Sequence, residues 1–82
     1  METGVLISEF ELLERASKRV KLPTCQPLST NYDAEADALF LKYSTNASVI
    51  SKSDYESGIT RDFDADNKLV GIEILDLQGL YD

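Results

Sequence analysis

The residues on either side of Pro23-Thr24-Cys25-Gln26-Pro27 follow different hydrophobic periods. Upstream, Phe10, Leu13, Ser17 and Val20 recur at helical spacing; downstream, apolar residues alternate in short runs broken by Asn, Asp and Gly. A chain of 82 residues that switches period once has room for one domain, a helix followed by a sheet. The expected fold class is therefore α+β: an N-terminal helix packed on an antiparallel β-meander of four or five strands, with 1–82 a single domain and 1–23 its helical extension. A chain this short buries only about three-fifths of its unfolded surface, so its core must be compact or shared with a second copy.

Several signals place the helix over about 8–21. Ser8 is a preferred N-cap, Glu11 completes a capping box, and Ile7 and Leu12 are spaced as a hydrophobic staple. Glu9, Glu11 and Glu14 lie at the positive end of the dipole and Lys18, Arg19 and Lys21 at the negative end; Glu11/Arg15 and Glu14/Lys18 are i,i+4 pairs. Pro23 disfavours helical geometry at Leu22. The stripe of Phe10, Leu13, Ser17 and Val20 is read as the cover of a sheet.

After Pro27, Leu39, Leu41 and Tyr43 alternate with Phe40 and Lys42, and Val70, Ile72 and Ile74 with Gly71 and Glu73. Val49 to Lys52 and Ile59 to Phe63 are shorter strands. In the second, Arg61 falls between Ile59 and Phe63, which requires an edge where its head reaches water. Turns are expected at Asp33–Asp37, Ser44–Asn46, Asp54–Gly58 and Asp64–Lys68.

Composition narrows function mainly by exclusion. Histidine is absent, which removes Ser-His and Cys-His catalysis, His-ligated zinc and histidine pH switching. The single cysteine, Cys25, excludes an internal disulfide and a Cys-only zinc site, and with no histidine to activate it reads as a spectator thiol. Fifteen acidic residues against eight basic ones give a net charge of −7, the wrong sign for a phosphate binder. Residues 1–23 balance four acids with four bases, so the excess lies in the body. No apolar run approaches a membrane span and the first residues lack the bases of a signal peptide, so a cytoplasmic location with no membrane partner is expected. Asn46-Ala47-Ser48 matches a glycosylation acceptor by chance in a polar loop.

The one motif with metal-ligand spacing is Asp62-x-Asp64-x-Asp66-Asn67 with Glu73 at the twelfth position, as in an EF-hand loop. Asn67 stands where that loop needs glycine, and both flanks read as strands rather than helices. A hairpin turn over Asp64–Lys68 is therefore the preferred reading, and divalent-cation binding by Asp62, Asp64, Asp66 and Glu73 the alternative. Asp33, Glu35 and Asp37 form a second acidic group. In an up-and-down meander it falls at the opposite end of the sheet from the first, so no carboxylate pair for acid–base chemistry is expected.

The stretches Tyr32-Asp33-Ala34-Glu35-Ala36-Asp37-Ala38-Leu39-Phe40-Leu41 and Asp62-Phe63-Asp64-Ala65-Asp66-Asn67-Lys68-Leu69-Val70-Gly71-Ile72-Glu73-Ile74-Leu75 resemble the two signature blocks of a bacterial and archaeal family known only as domain of unknown function family 2283. The resemblance covers about 28–77. It implies a small β-rich prokaryotic domain with an acidic hairpin turn, and brings no activity, cofactor or catalytic residue. Members of that family usually carry glycine at the place of Asn67 and an apolar residue at the place of Arg61, and begin close to the first strand.

Taken together, these features point to a small acidic, non-enzymatic protein–protein interaction module with no cofactor. One helix of about fourteen residues spans roughly 20 Å and cannot cover both faces of a sheet carrying Leu39, Leu41, Tyr43, Ile59, Phe63, Val70, Ile72 and Ile74, with Phe40, Leu69, Leu75, Leu77, Leu80 and Tyr81 still to place. Leftover apolar surface favours a homo-oligomer, a dimer, or another protein as partner. Nucleic-acid contact through Arg15, Lys18, Arg19 and Lys21 is the outsider, since the acidic body opposes it.

Overall fold

The computed structural model describes residues 8–79. Within them a helix, α1 (Glu9–Ser17), is followed by five strands: β1 (Ser29–Asp33), β2 (Ala38–Lys42), β3 (Ile50–Asp54), β4 (Ile59–Phe63) and β5 (Leu69–Leu75). α1 starts as its sequence demands: Ser8 is extended and its Oγ accepts the N–H of Glu11 at 3.1 Å. Arg15 pairs with Glu11 at 3.1 Å. The helix ends at Ser17, short of the expected boundary, where N–H groups of Arg19 and Val20 converge on the Ala16 carbonyl. The expected staple involves Ile7, which lies outside the described residues.

All four strand pairings are antiparallel, but the order is β1-β2-β5-β4-β3. This corrects the meander: β5 enters between β2 and β4, and β2 and β3 do not pair. Burial explains the choice. Pairing β2 with β5 sets Leu39 beside Ile74 and Leu41 beside Ile72, the richest cross-strand apolar contacts the sequence offers. The Ile50-Ser51-Lys52-Ser53-Asp54 strand has little to bury and takes an edge, with all five residues exposed. β1, mostly polar and with no residue fully buried, takes the other edge.

One sheet face is apolar. Leu39, Leu41, Ile59, Ile72 and Ile74 form a single buried cluster with Leu77 and with Leu12, Ala16 and Val20 from the helical segment. The stripe needs correcting here. Leu12 and Ala16 are the buried residues of α1, while Phe10 is 77% exposed. The stripe that reaches the core runs i, i+4, i+8 through 12, 16 and 20, with small Ala16 at its centre; Val20 belongs to both stripes, and Leu13 packs against the cluster from the side. Arg61 is half-buried in β4, and the strand beyond it is fully exposed, so its head has the route to water that its position requires.

Candidate functional site

Both acidic groups form turns, and the two lie at opposite ends of the sheet, since Ala38 pairs with Leu75 and Phe63 with Leu69. In the β4–β5 turn the Asp64 N–H reaches the Lys68 carbonyl and the Asn67 N–H the Asp64 carbonyl, both at 2.9 Å, with Asn67 at φ 63. Asparagine tolerates that left-handed angle, which is why it can replace glycine here. Asp64 is buried. Its Oδ1 accepts the N–H groups of Asp66 and Lys68, and its Oδ2 accepts Asn46 Nδ2 from the β2–β3 loop, all at 2.9 Å. The Asn46 bond first, then the Lys68 and Asp66 amides, outweigh desolvation and hold its pKa below the usual carboxylate range.

The remaining members of the EF-hand pattern are not gathered around it. Asp62 lies in β4 and accepts Ser51 Oγ at 2.6 Å; Glu73 lies in β5 opposite Thr60; Asp66 is exposed in the turn. The segment is strand–turn–strand, so the twelve-residue loop geometry is not formed. Among the described residues no group of three or more Cys, Asp or Glu is placed to hold a metal ion.

Asp37 has a role that its acidic neighbours concealed. Fully buried and at φ 54, it accepts the Tyr32 hydroxyl at 2.5 Å and the Gln78 N–H at 3.1 Å, while Gln78 Nε2 donates to Tyr32 Oη at 2.8 Å. It thereby fastens the segment after β5 to the first hairpin. Its signal in the sequence is its place: it ends the turn Asp33-Ala34-Glu35-Ala36-Asp37, where Asp54-Tyr55-Glu56-Ser57-Gly58 carries glycine, so a left-handed residue is needed at both.

Arg19 is another residue whose role sequence reasoning assigned elsewhere. Its guanidinium donates to the carbonyls of Asp76 (2.9 Å), Ser57 (2.6 Å) and Leu75 (3.0 Å), joining the end of the helical segment to the end of β5 and the β3–β4 turn. With Arg15 held by Glu11, two of the four basic residues of the nucleic-acid reading already have protein partners. Cys25 is exposed; Tyr43 is held above its ordinary pKa, chiefly by burial and secondarily by Cys25.

Among the described residues, no element covers the second face of the sheet. Its central row, read across the strands, is Ser29, Lys42, Gly71, Asp62, Ser51; the next is Asn31, Phe40, Glu73, Thr60, Ser53. Gly71 leaves a shallow hollow of about 380 Å³ in mid-sheet, walled by Phe40, Lys42, Asp62 and Glu73. A Cβ at Gly71 would meet the Leu41 carbonyl oxygen at 2.9 Å, so the backbone requires glycine. Phe40 stays 40% exposed on this face.

A family model described as a protein of unknown function, DUF2283, matches residues 30–78. The chain belongs to this family. The DUF2283 match takes in β2 to β5, all of β1 but Ser29, and the Gln78 anchor, and α1 lies outside it. No curated protein and no solved structure matches the chain. Among the described residues no helix is long and apolar enough to cross a membrane.

Proposed function

We propose that this DUF2283 chain is a non-enzymatic interaction module that self-associates, with α1 packed on one face of the sheet as its cover and the other face left for a second copy. The observation that carries the reading is the asymmetry of the sheet. One face belongs to a closed apolar cluster that includes Leu12, Ala16 and Val20, whereas the other exposes Phe40 beside the hollow over Gly71. The three carbonyl bonds of Arg19 support a fixed rather than a detachable helical segment. The cation-binding alternative has less support, because both Asp64 oxygens already accept hydrogen bonds from the protein.

The test is mass against concentration. Light scattering on the 9.1 kDa chain should show a weight-average mass that climbs toward twice that value through the micromolar range. A mass fixed at 9.1 kDa up to millimolar concentration would overturn self-association.

A further inference from the structure

We infer that the self-association surface is the open sheet face centred on Gly71, and that its partner is the same face of a second copy, related by a two-fold axis running along β5. This rests on the self-association reading and specifies where that contact lies. Gly71 is flanked in register by Lys42 on β2 and by Asp62 on β4, one strand to either side. Rotation by 180° about an axis parallel to β5, between two stacked sheets, lays β2 over β4 of the second copy. Each Lys42 then faces Asp62 of the other chain, and each Asp62 faces Lys42, while the two bare glycine floors leave room between the sheets for those side chains. A patch that carries opposite charges symmetrically about its centre complements itself, which an isologous dimer requires.

The neighbouring row fits the same operation. Phe40 on β2 is laid over Thr60 on β4, and their rings and methyl groups flank the axis. Glu73, on β5 itself, faces its own copy and is the one unfavourable contact. Five strands spaced about 4.8 Å apart and about five residues long offer roughly 400 Å² per partner, about half of a standard interface. The dimer is accordingly weak and concentration-dependent.

Sedimentation equilibrium or light scattering on four samples tests this: the wild type, Lys42→Asp, Asp62→Lys, and a one-to-one mixture of the two variants. Each variant alone places like charges opposite each other twice and should lose at least about tenfold in association constant. In the mixture, acidic 42 and 62 of one chain face basic 42 and 62 of the other, so dimerisation should return. That recovery also shows that both variants are folded, and circular dichroism checks each singly. A dimeric wild type whose association neither variant weakens, or variants that stay monomeric when mixed, overturns this face while self-association through another surface such as the β3 edge stands. A wild type that is monomeric throughout overturns both readings.

Discussion

The hairpins β1–β2 and β3–β4 use the same turn and meet opposite fates. Asp33 and Asp54 each close their strand by accepting two N–H groups on Oδ1, from Glu35 and Ala36 in one and from Glu56 and Ser57 in the other. Each turn ends on a left-handed residue, Asp37 or Gly58, whose carbonyl accepts an N–H from the end of β5 or just beyond it, Leu77 for Asp37 and Leu75 for Gly58. With β5 between them, the hairpins are related by a pseudo-two-fold along that strand combined with a shift of one residue, which exchanges faces. Leu39 and Leu41 enter the cluster, whereas their counterparts Thr60 and Asp62 look to the open side. Identical turn chemistry therefore fixes a hairpin without fixing which of its faces is buried; placement against β5 decides that.

Substitution at the paired positions Leu39 and Thr60 should separate the hairpins most. Leu39 is fully buried, so Leu39→Ala should cost about 2–5 kcal/mol in urea unfolding, and Thr60→Ala less than about 1 kcal/mol. Equal losses would mean that both hairpins feed the core alike. Next come the left-handed positions. Asp37→Ala leaves the Tyr32 hydroxyl and the Gln78 N–H without this acceptor and should cost roughly 2–3 kcal/mol, against about 1 kcal/mol for Gly58→Ala from backbone strain alone. If thermal unfolding ranks them the other way, the Asp37 network is not what holds the C-terminal segment.

At the pivot, Gly71→Ala drives a Cβ against the Leu41 carbonyl and should cost about 1–3 kcal/mol, with loss of β2–β5 amide protection in hydrogen exchange. Protection lost only between β4 and β5 would place the strain on the other hairpin. The smallest effect is the pH response. Asp54, through the Ser57 hydroxyl and the Ser57 and Glu56 amides, and Asp64, through Asn46 and its turn amides, have depressed folded-state pKa values. The folded state binds fewer protons, so their stabilisation is complete above the unfolded pKa of about 4 and declines as pH falls below it. Melting temperature should drop over that range, and an Asp54→Asn, Asp64→Asn double variant should show a shallower drop; an unchanged slope would assign acid sensitivity to other carboxylates.

Local chemistry was legible because its signals are local. The Ser8 cap, the Glu11–Arg15 pair, the alternation in β2 and β5, and the Asp–Asn–Gly turns each depend on residues within a few positions of one another. The stretches that resemble the family are equally local. Among the acidic motifs, the turn reading of Asp64–Lys68 was available from its flanking strands.

What the chain alone could not supply depends on contacts between distant residues. The insertion of β5 between β2 and β4 follows from which strands bury most area when paired, a comparison among all pairings rather than a pattern within one. That Leu12 and Ala16 are buried, in place of Phe10, depends on the apolar cluster they join, because an amphipathic helix with two overlapping stripes has no local reason to prefer either. Asp37 and Arg19 looked like surface charges; their long-range partners lie 41 residues away at Gln78 for one, and 38, 56 and 57 away at Ser57, Leu75 and Asp76 for the other. Sequence set the elements and their turns, and the folded chain set their order, their buried faces and the two polar anchors, because burial free energy is gained only once remote segments meet.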